Sequence, residues 1–124
     1  MSVLVDSSVW IEYFRGGTQT TIDSLIDENL VVVNDLILSE LLPPLHLRRQ
    51  RRLTSILKEV KKHPIQVDWD DIVQTQITCL RNGINKVGIP DLIIAQNAMQ
   101  NGLQLLSRDK HFEQLSKLLP LTMY

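Results

Sequence analysis

The sequence holds a single cysteine, Cys79, in 124 residues. An internal disulfide is therefore excluded, as is any zinc or iron–sulfur site built on several cysteines, and this usage suits a reducing cytoplasm. Nowhere does an uninterrupted apolar run exceed four residues, so neither a membrane span nor the apolar core of a signal peptide is expected. Internal repeats, linkers and low-complexity tracts are missing too. Gly16-Gly17 lacks the strand–loop–helix setting and the Lys-Ser/Thr pair of a phosphate-binding loop. His46, His63 and His111 are scattered, with no helical spacing that would make a metal pair, and read as surface residues.

What is present is the composition of one globular domain over residues 1–124. Hydrophobic residues at 44% and charged ones at 22% exclude a disordered chain. A chain of this size buries roughly two thirds of its unfolded surface, enough for a core without staples. The net charge is −1, but it is unevenly spread: residues 1–40 carry seven acids and one base, and residues 41–64 carry seven bases and one acid. That division suits a polyanion gripped at one place and processed by metal-loaded carboxylates at another, although a solvated helix face is the plainer reading.

Along the chain, Val3 to Val5 read as a strand closed by Asp6, followed by a helix carrying Val9, Trp10, Tyr13 and Phe14 until Arg15-Gly16-Gly17 breaks it. Thr20-x-x-Asp23 looks like a capping box for a helix with Ile22, Leu25 and Ile26. Leu30 to Val33 is the clearest strand. Asp35 is placed to cap a helix through Leu42, with Pro43-Pro44 ending it and a long basic helix following from about Leu45 to Lys62. Ile65 to Val67 is a third strand candidate, Asp68 opens a helix to Asn82, and Pro90-Asp91 opens another that Gly102 ends. Leu103 to Leu106 reads as a strand, Lys110 to Leu115 as a short helix, and Leu118 to Leu121 as a last edge strand. Cys79 and the aromatic cluster read as core.

Strands alternating with helices imply an α/β fold, a mostly parallel sheet flanked by helices, whose ligands bind at the carboxyl ends of the strands. Asp6 ends the first strand, Glu40 lies in the helix after the second, Asp91 opens a helix, and Asp109 follows the strand ending at Leu106. If strand order brings these together, the crowded carboxylates need a compensating divalent cation. Mg²⁺ or Mn²⁺ suits such hard oxygen ligands and also binds substrate phosphates, which is nuclease chemistry. Ser7 and Ser107 are placed to orient carboxylates or water, with helix capping as an equal alternative.

The stretches VLVDSSVWIEYFRG (residues 3–16), Ser39-Glu40-Leu41, IPDLIIAQNA (residues 89–98) and LLSRDKHF (residues 105–112) together resemble PIN-domain ribonucleases. Among those they are most similar to the VapC-type toxins of bacterial toxin–antitoxin pairs. The resemblance implies a PIN-like three-layer sandwich with Asp6, Glu40, Asp91 and Asp109 as the catalytic and metal-binding acids, Mg²⁺ or Mn²⁺ as cofactor, and RNA as substrate. It further implies a cognate antitoxin whose tail occupies a groove near the active site, and a homodimer. The expected activity is that of a cytoplasmic endoribonuclease toxin that hydrolyses phosphodiester bonds with metal-activated water.

Two other enzyme-like classes fail on single residues. A haloacid-dehalogenase-type phosphatase wants an acid two residues after Asp6, where Ser8 stands, and a phosphoacceptor receiver wants adjacent acids where the chain has Asp6-Ser7. The rival from another class is a non-catalytic RNA- or protein-binding module with a PIN-like fold. On one continuous basic helix, Arg48, Arg51 and Arg52 would share a face suited to RNA phosphates. Ile11, set apart from the stripe of Trp10, Tyr13 and Phe14, leaves apolar surface for a partner.

Overall fold

The computed structural model describes residues 1–16 and 20–124. Its centre is a parallel sheet of four strands among the described residues, β1 (Val3–Val5), β2 (Val31–Val33), β3 (Lys61–Lys62) and β4 (Gln104–Leu106), in the order β3-β2-β1-β4. Both β1 and β2 are unbroken apolar triplets with every residue buried, as strands covered on both faces must be. Seven helices among the described residues flank the sheet: α1 (Ser7–Phe14), α2 (Thr20–Asp27), α3 (Asp35–Leu47), α4 (Arg51–Glu59), α5 (Trp69–Arg81), α6 (Ile89–Gln100) and α7 (Lys110–Leu118). None is long and apolar enough to cross a membrane. Helix α3 packs against α1, α4 and α6, while α5, α6 and α7 pack on one another. Trp10, Phe112, Leu4, Ile37 and Leu105 are among the fully buried side chains of the resulting core, and Cys79 joins it.

The expected α/β sandwich is present, and the structure corrects five local expectations. Asn34, not Asp35, caps α3, its side-chain oxygen accepting from the Ile37 N–H at 2.9 Å. Pro43 and Pro44 do not end that helix. Both are exposed and lie inside α3, so their missing N–H groups leave the Ser39 and Glu40 carbonyls on the solvent side, while Leu41 and Leu45 hold the helix to the core.

The basic segment is broken in two, because Arg49 adopts a left-handed conformation at φ 53°. The Gln50 N–H returns to the Leu45 carbonyl at 2.9 Å and the Arg49 N–H to that of His46 at 3.1 Å, the closing pattern of a helix that usually has glycine at this point. The edge strand is Lys61–Lys62 instead of Ile65 to Val67. It pairs Lys61 with Val32, and the Lys62 ammonium reaches the Asp35 carboxylate at 3.0 Å. At the other edge, helix α7 runs to Leu118, and among the described residues a single bridge, Leu105 with Met123, continues the sheet there. Helix α2 begins at Thr20, but the Thr20 side chain of the expected capping box, like Gly17 of the expected break, lies outside the described residues.

Candidate metal centre

Because every strand pairing is parallel, the carboxyl ends of the strands share one rim. Asp6 leaves β1 there as the residue preceding α1, and only 5% of it is exposed. A carboxylate so buried needs donors. Two hydroxyls supply them to the same oxygen: Ser8 donates to Asp6 Oδ2 at 2.8 Å, and Ser107, just past the neighbouring strand β4, donates to it at 2.9 Å. Each hydroxyl also accepts a backbone N–H from the β4–α7 turn, Ser8 from Arg108 at 3.1 Å and Ser107 from Asp109 at 3.0 Å. The ends of β1 and β4 are thus laced together around one carboxylate oxygen.

Asp109 caps α7, its Oδ1 accepting from the His111 N–H at 2.9 Å. The His111 ring then turns back to the rim. Its Nδ1 lies 3.3 Å from Asp91 Oδ2 and 3.4 Å from Asp109 Oδ1. Asp91 sits in the first turn of α6, brought there by Pro90, which tolerates the start of a helix. One ligand atom from each of Asp91, Asp109 and His111 falls within 4.8 Å of the others.

Glu40 enters from α3, six residues beyond the Asn34 cap. Burial pushes its pKa up, the charges of Asp6 and Asp91 push it further, and a hydrogen bond from the Ser7 hydroxyl opposes them. Asp91 is raised as well, first by burial and then by the charges of Asp109 and Asp6, against the opposing effect of His111. Each of the four acids therefore feels at least one of the others, although they come from four separate stretches of the chain. Such like-charge crowding is relieved by protonation or by a cation. The donor set of carboxylate oxygens with one imidazole nitrogen fits a hard or borderline divalent ion.

Of the expected supporting hydroxyls, Ser107 bonds Asp6 and Ser7 bonds Glu40. Ser8 carries a role that its position two residues after Asp6 did not signal. His111 was read as a surface residue, yet it stands between two of the acids, and the helical offset from Asp109 was the one available hint. The arginines do not form one face. Arg48 closes α3 and lies beyond its last residue, whereas Arg51 and Arg52 open α4 on the far side of the Arg49 turn. His46 is exposed, and His63, half-buried, directly follows β3, its N–H donating to the Val33 carbonyl at 2.8 Å.

Beside Glu40 opens a cavity of about 300 Å³ whose walls include Ile11, Phe14, Leu41, Pro44 and Arg48. Ile11 is 41% exposed, while Trp10 is wholly buried and Tyr13 and Phe14 are half-buried. The apolar surface expected at this helix is thus concentrated in a groove that runs up to one of the acids.

A model of the PIN domain family matches residues 3–118. No curated protein matches the chain in sequence. Among solved structures, a chain of VapBC2 from Rickettsia felis, bound to a promoter DNA fragment, is similar with a TM-score of 0.80 and 13% identity, over 100% of this chain and 98% of that one. A chain of DNA-bound VapBC from Salmonella typhimurium gives 0.80 and 14%, over 100% and 97%. FitAcB from Neisseria gonorrhoeae gives 0.69 and 20%, over 98% and 96%.

Proposed function

The chain belongs to the PIN domain family, and from that premise we propose that it is a divalent-cation-dependent endoribonuclease, the toxin of a toxin–antitoxin pair. The observation that carries this reading is the meeting of Asp6, Glu40, Asp91 and Asp109 at one rim, with the charges of the group raising two of its members. An acid cluster that served only as helix caps would not need to gather from α3, α6, α7 and the end of β1.

In this reading the four acids hold Mg²⁺ or Mn²⁺, with His111 beside two of them, Asp91 and Asp109. Such an ion, when bound, lowers the pKa of a water and neutralises charge on the phosphate under attack. The chain's own residues prepare the site. Ser8 and Ser107 occupy Asp6 Oδ2, which leaves Oδ1 for the cation. His111 fixes the facing oxygens of Asp91 and Asp109, and Ser7 steadies Glu40 in its charged form. Arg48, on the groove beside Glu40, is placed to take an RNA phosphate, with Arg51 and Arg52 extending the basic surface beyond the turn. Attack by water with departure of the 3′-oxygen leaves a 5′-phosphate and a 3′-hydroxyl, whereas attack by the 2′-OH with departure of the 5′-oxygen would leave a cyclic phosphate and a 5′-hydroxyl.

The groove at Ile11 and Phe14 gives the inhibitory partner a place to act: a segment lying in it would reach Glu40. The VapBC structures that this fold resembles contain such pairs, which supports assigning that surface to a cognate antitoxin. The activity is tested by incubating the purified chain with RNA in excess EDTA, then adding Mg²⁺ or Mn²⁺, and analysing product ends. Metal-dependent cleavage to 5′-phosphate ends is expected. RNA binding without cleavage under any metal would favour the non-catalytic module, and undiminished cleavage in EDTA would refute the metal centre.

A further inference from the structure

Two neighbouring faces of α1 border the acids. On one, Ser7 bonds Glu40 of α3, and Ile11 lines the groove with Arg48. Ser8 and Glu12, four residues apart and so one above the other on the helix, meet the β4–α7 turn instead. There Ser8 accepts the Arg108 N–H at 3.1 Å while donating to Asp6, and Arg108 Nε donates to Glu12 Oε2 at 3.1 Å. Strand β1, which carries Asp6, runs between β2, which leads into α3, and β4, so the groove and this turn lie on different sides of the centre.

The main chain of Arg108 is fixed at the rim. It stands between Ser107, which holds Asp6, and Asp109, one of the acids, and its guanidinium is drawn to Glu12, about 6 Å further along the α1 axis than Ser8. The pair is open to water, its side chains 55% and 48% exposed, and an ion pair so exposed is weakly held. A guanidinium takes carboxylate and phosphate through the same planar fork of N–H groups. Glu12 therefore occupies a place that a phosphate can take at small cost. A strand of RNA that crosses the acids from Arg48 on the groove side arrives at Arg108 on the other, where a cation offsets the repulsion between its phosphates and the carboxylates.

We infer that Arg108 binds a phosphate of the substrate on the β4–α7 side of the centre, and that Glu12 is its stand-in ligand, exchanged for phosphate when RNA enters. The inference rests on the endoribonuclease reading and adds to it the path of the strand.

The test is steady-state cleavage of a fluorescently labelled single-stranded RNA of mixed sequence by the full chain in Mg²⁺. Salt is held at about 0.15 M, where charge effects are screened beyond about 8 Å. Arg108→Gln should raise KM at least about fivefold with kcat within about twofold, and Arg108→Lys should recover part of the loss. Glu12→Gln should lower KM about two- to threefold by releasing Arg108 from competition, and should change nothing once Arg108→Gln is present. Circular dichroism confirms that each variant is folded. A KM unmoved by Arg108→Gln would overturn the inference and leave the pair as a tie between α1 and the turn. A gain from Glu12→Gln that persists without Arg108 would refute the exchange, since Glu12 would then act on RNA by plain repulsion. Absence of cleavage by the unaltered chain is a separate result, which refutes the endoribonuclease reading and the inference with it.

Discussion

Replacing Asn34 with alanine tests how the elements that carry the acids are tied together. Asn34 is wholly inaccessible and does two things: its Oδ1 caps α3 through the Ile37 N–H at 2.9 Å, and its Nδ2 donates to Asn97 Oδ1 at 3.0 Å. Asn97, two turns along α6 from Asp91, passes the connection on by donating to the Pro64 carbonyl at 3.0 Å. Loss of a cap costs about 1 kcal/mol. Leaving the Asn97 oxygen buried without its donor costs about 1–3 kcal/mol more. Together these amount to about 2–4 kcal/mol. For a chain of this length a kilocalorie moves Tm by about 4 °C, so Asn34→Ala should melt about 8–16 °C lower, read by circular dichroism in metal-free buffer. Asn97→Ala should also be costly, but the double variant should be milder than the two losses added, because the second truncation removes a partner already stranded. A Tm within about 2 °C of the unaltered protein for Asn34→Ala would refute the linkage between α3 and α6.

Three further outcomes follow from the same structure. Arg49→Gly should stabilise the protein by about 0.5–1 kcal/mol, since relief of a left-handed side chain exceeds glycine's added backbone entropy, and thermal unfolding will show the sign. Glu40→Gln should raise Tm in EDTA at pH 7: a carboxyl whose pKa is raised on folding contributes stability below its unfolded value near 4.3 and loses it as pH rises through the folded value, so the advantage should vanish on acidification to that range. Replacing Arg48, Arg51 and Arg52 together with Gln, in an Asp6→Asn background, should flatten the salt dependence of single-stranded RNA binding by about 2 units of slope if all three meet phosphates; an unchanged slope would remove them from the RNA surface.

How far the sequence discloses the molecule depends on whether a feature is local. An acid directly after the buried triplet Val3 to Val5 is unusual enough to mark Asp6, and Pro90 at a helix start marks the turn that presents Asp91. Parallel pairing then follows from the alternation of elements, and with it the common rim. Features settled by tertiary placement are not legible in this way. Asn34 and Asp35 are both good caps, and only the burial of Asn34 against Asn97 selects the first. The Arg49 turn carries no glycine to announce it, and a strand of two exposed lysines has no apolar alternation. Ser8 and His111 are ordinary helix residues until β4 is laid beside β1, which sets the Ser8 hydroxyl and the His111 ring among the acids.

The central claim is that four carboxylates from distant parts of the chain make one cation site, and titration of Mn²⁺ into the metal-free protein tests it most directly. The unaltered chain should bind Mn²⁺, and Asp6→Asn, Glu40→Gln, Asp91→Asn and Asp109→Asn should each bind it at least about tenfold more weakly while remaining folded, because each removes an anionic ligand or an anion facing one. A variant that binds as tightly as the unaltered chain would remove its carboxylate from the site, and absence of Mn²⁺ binding by the unaltered chain would contradict the account as a whole.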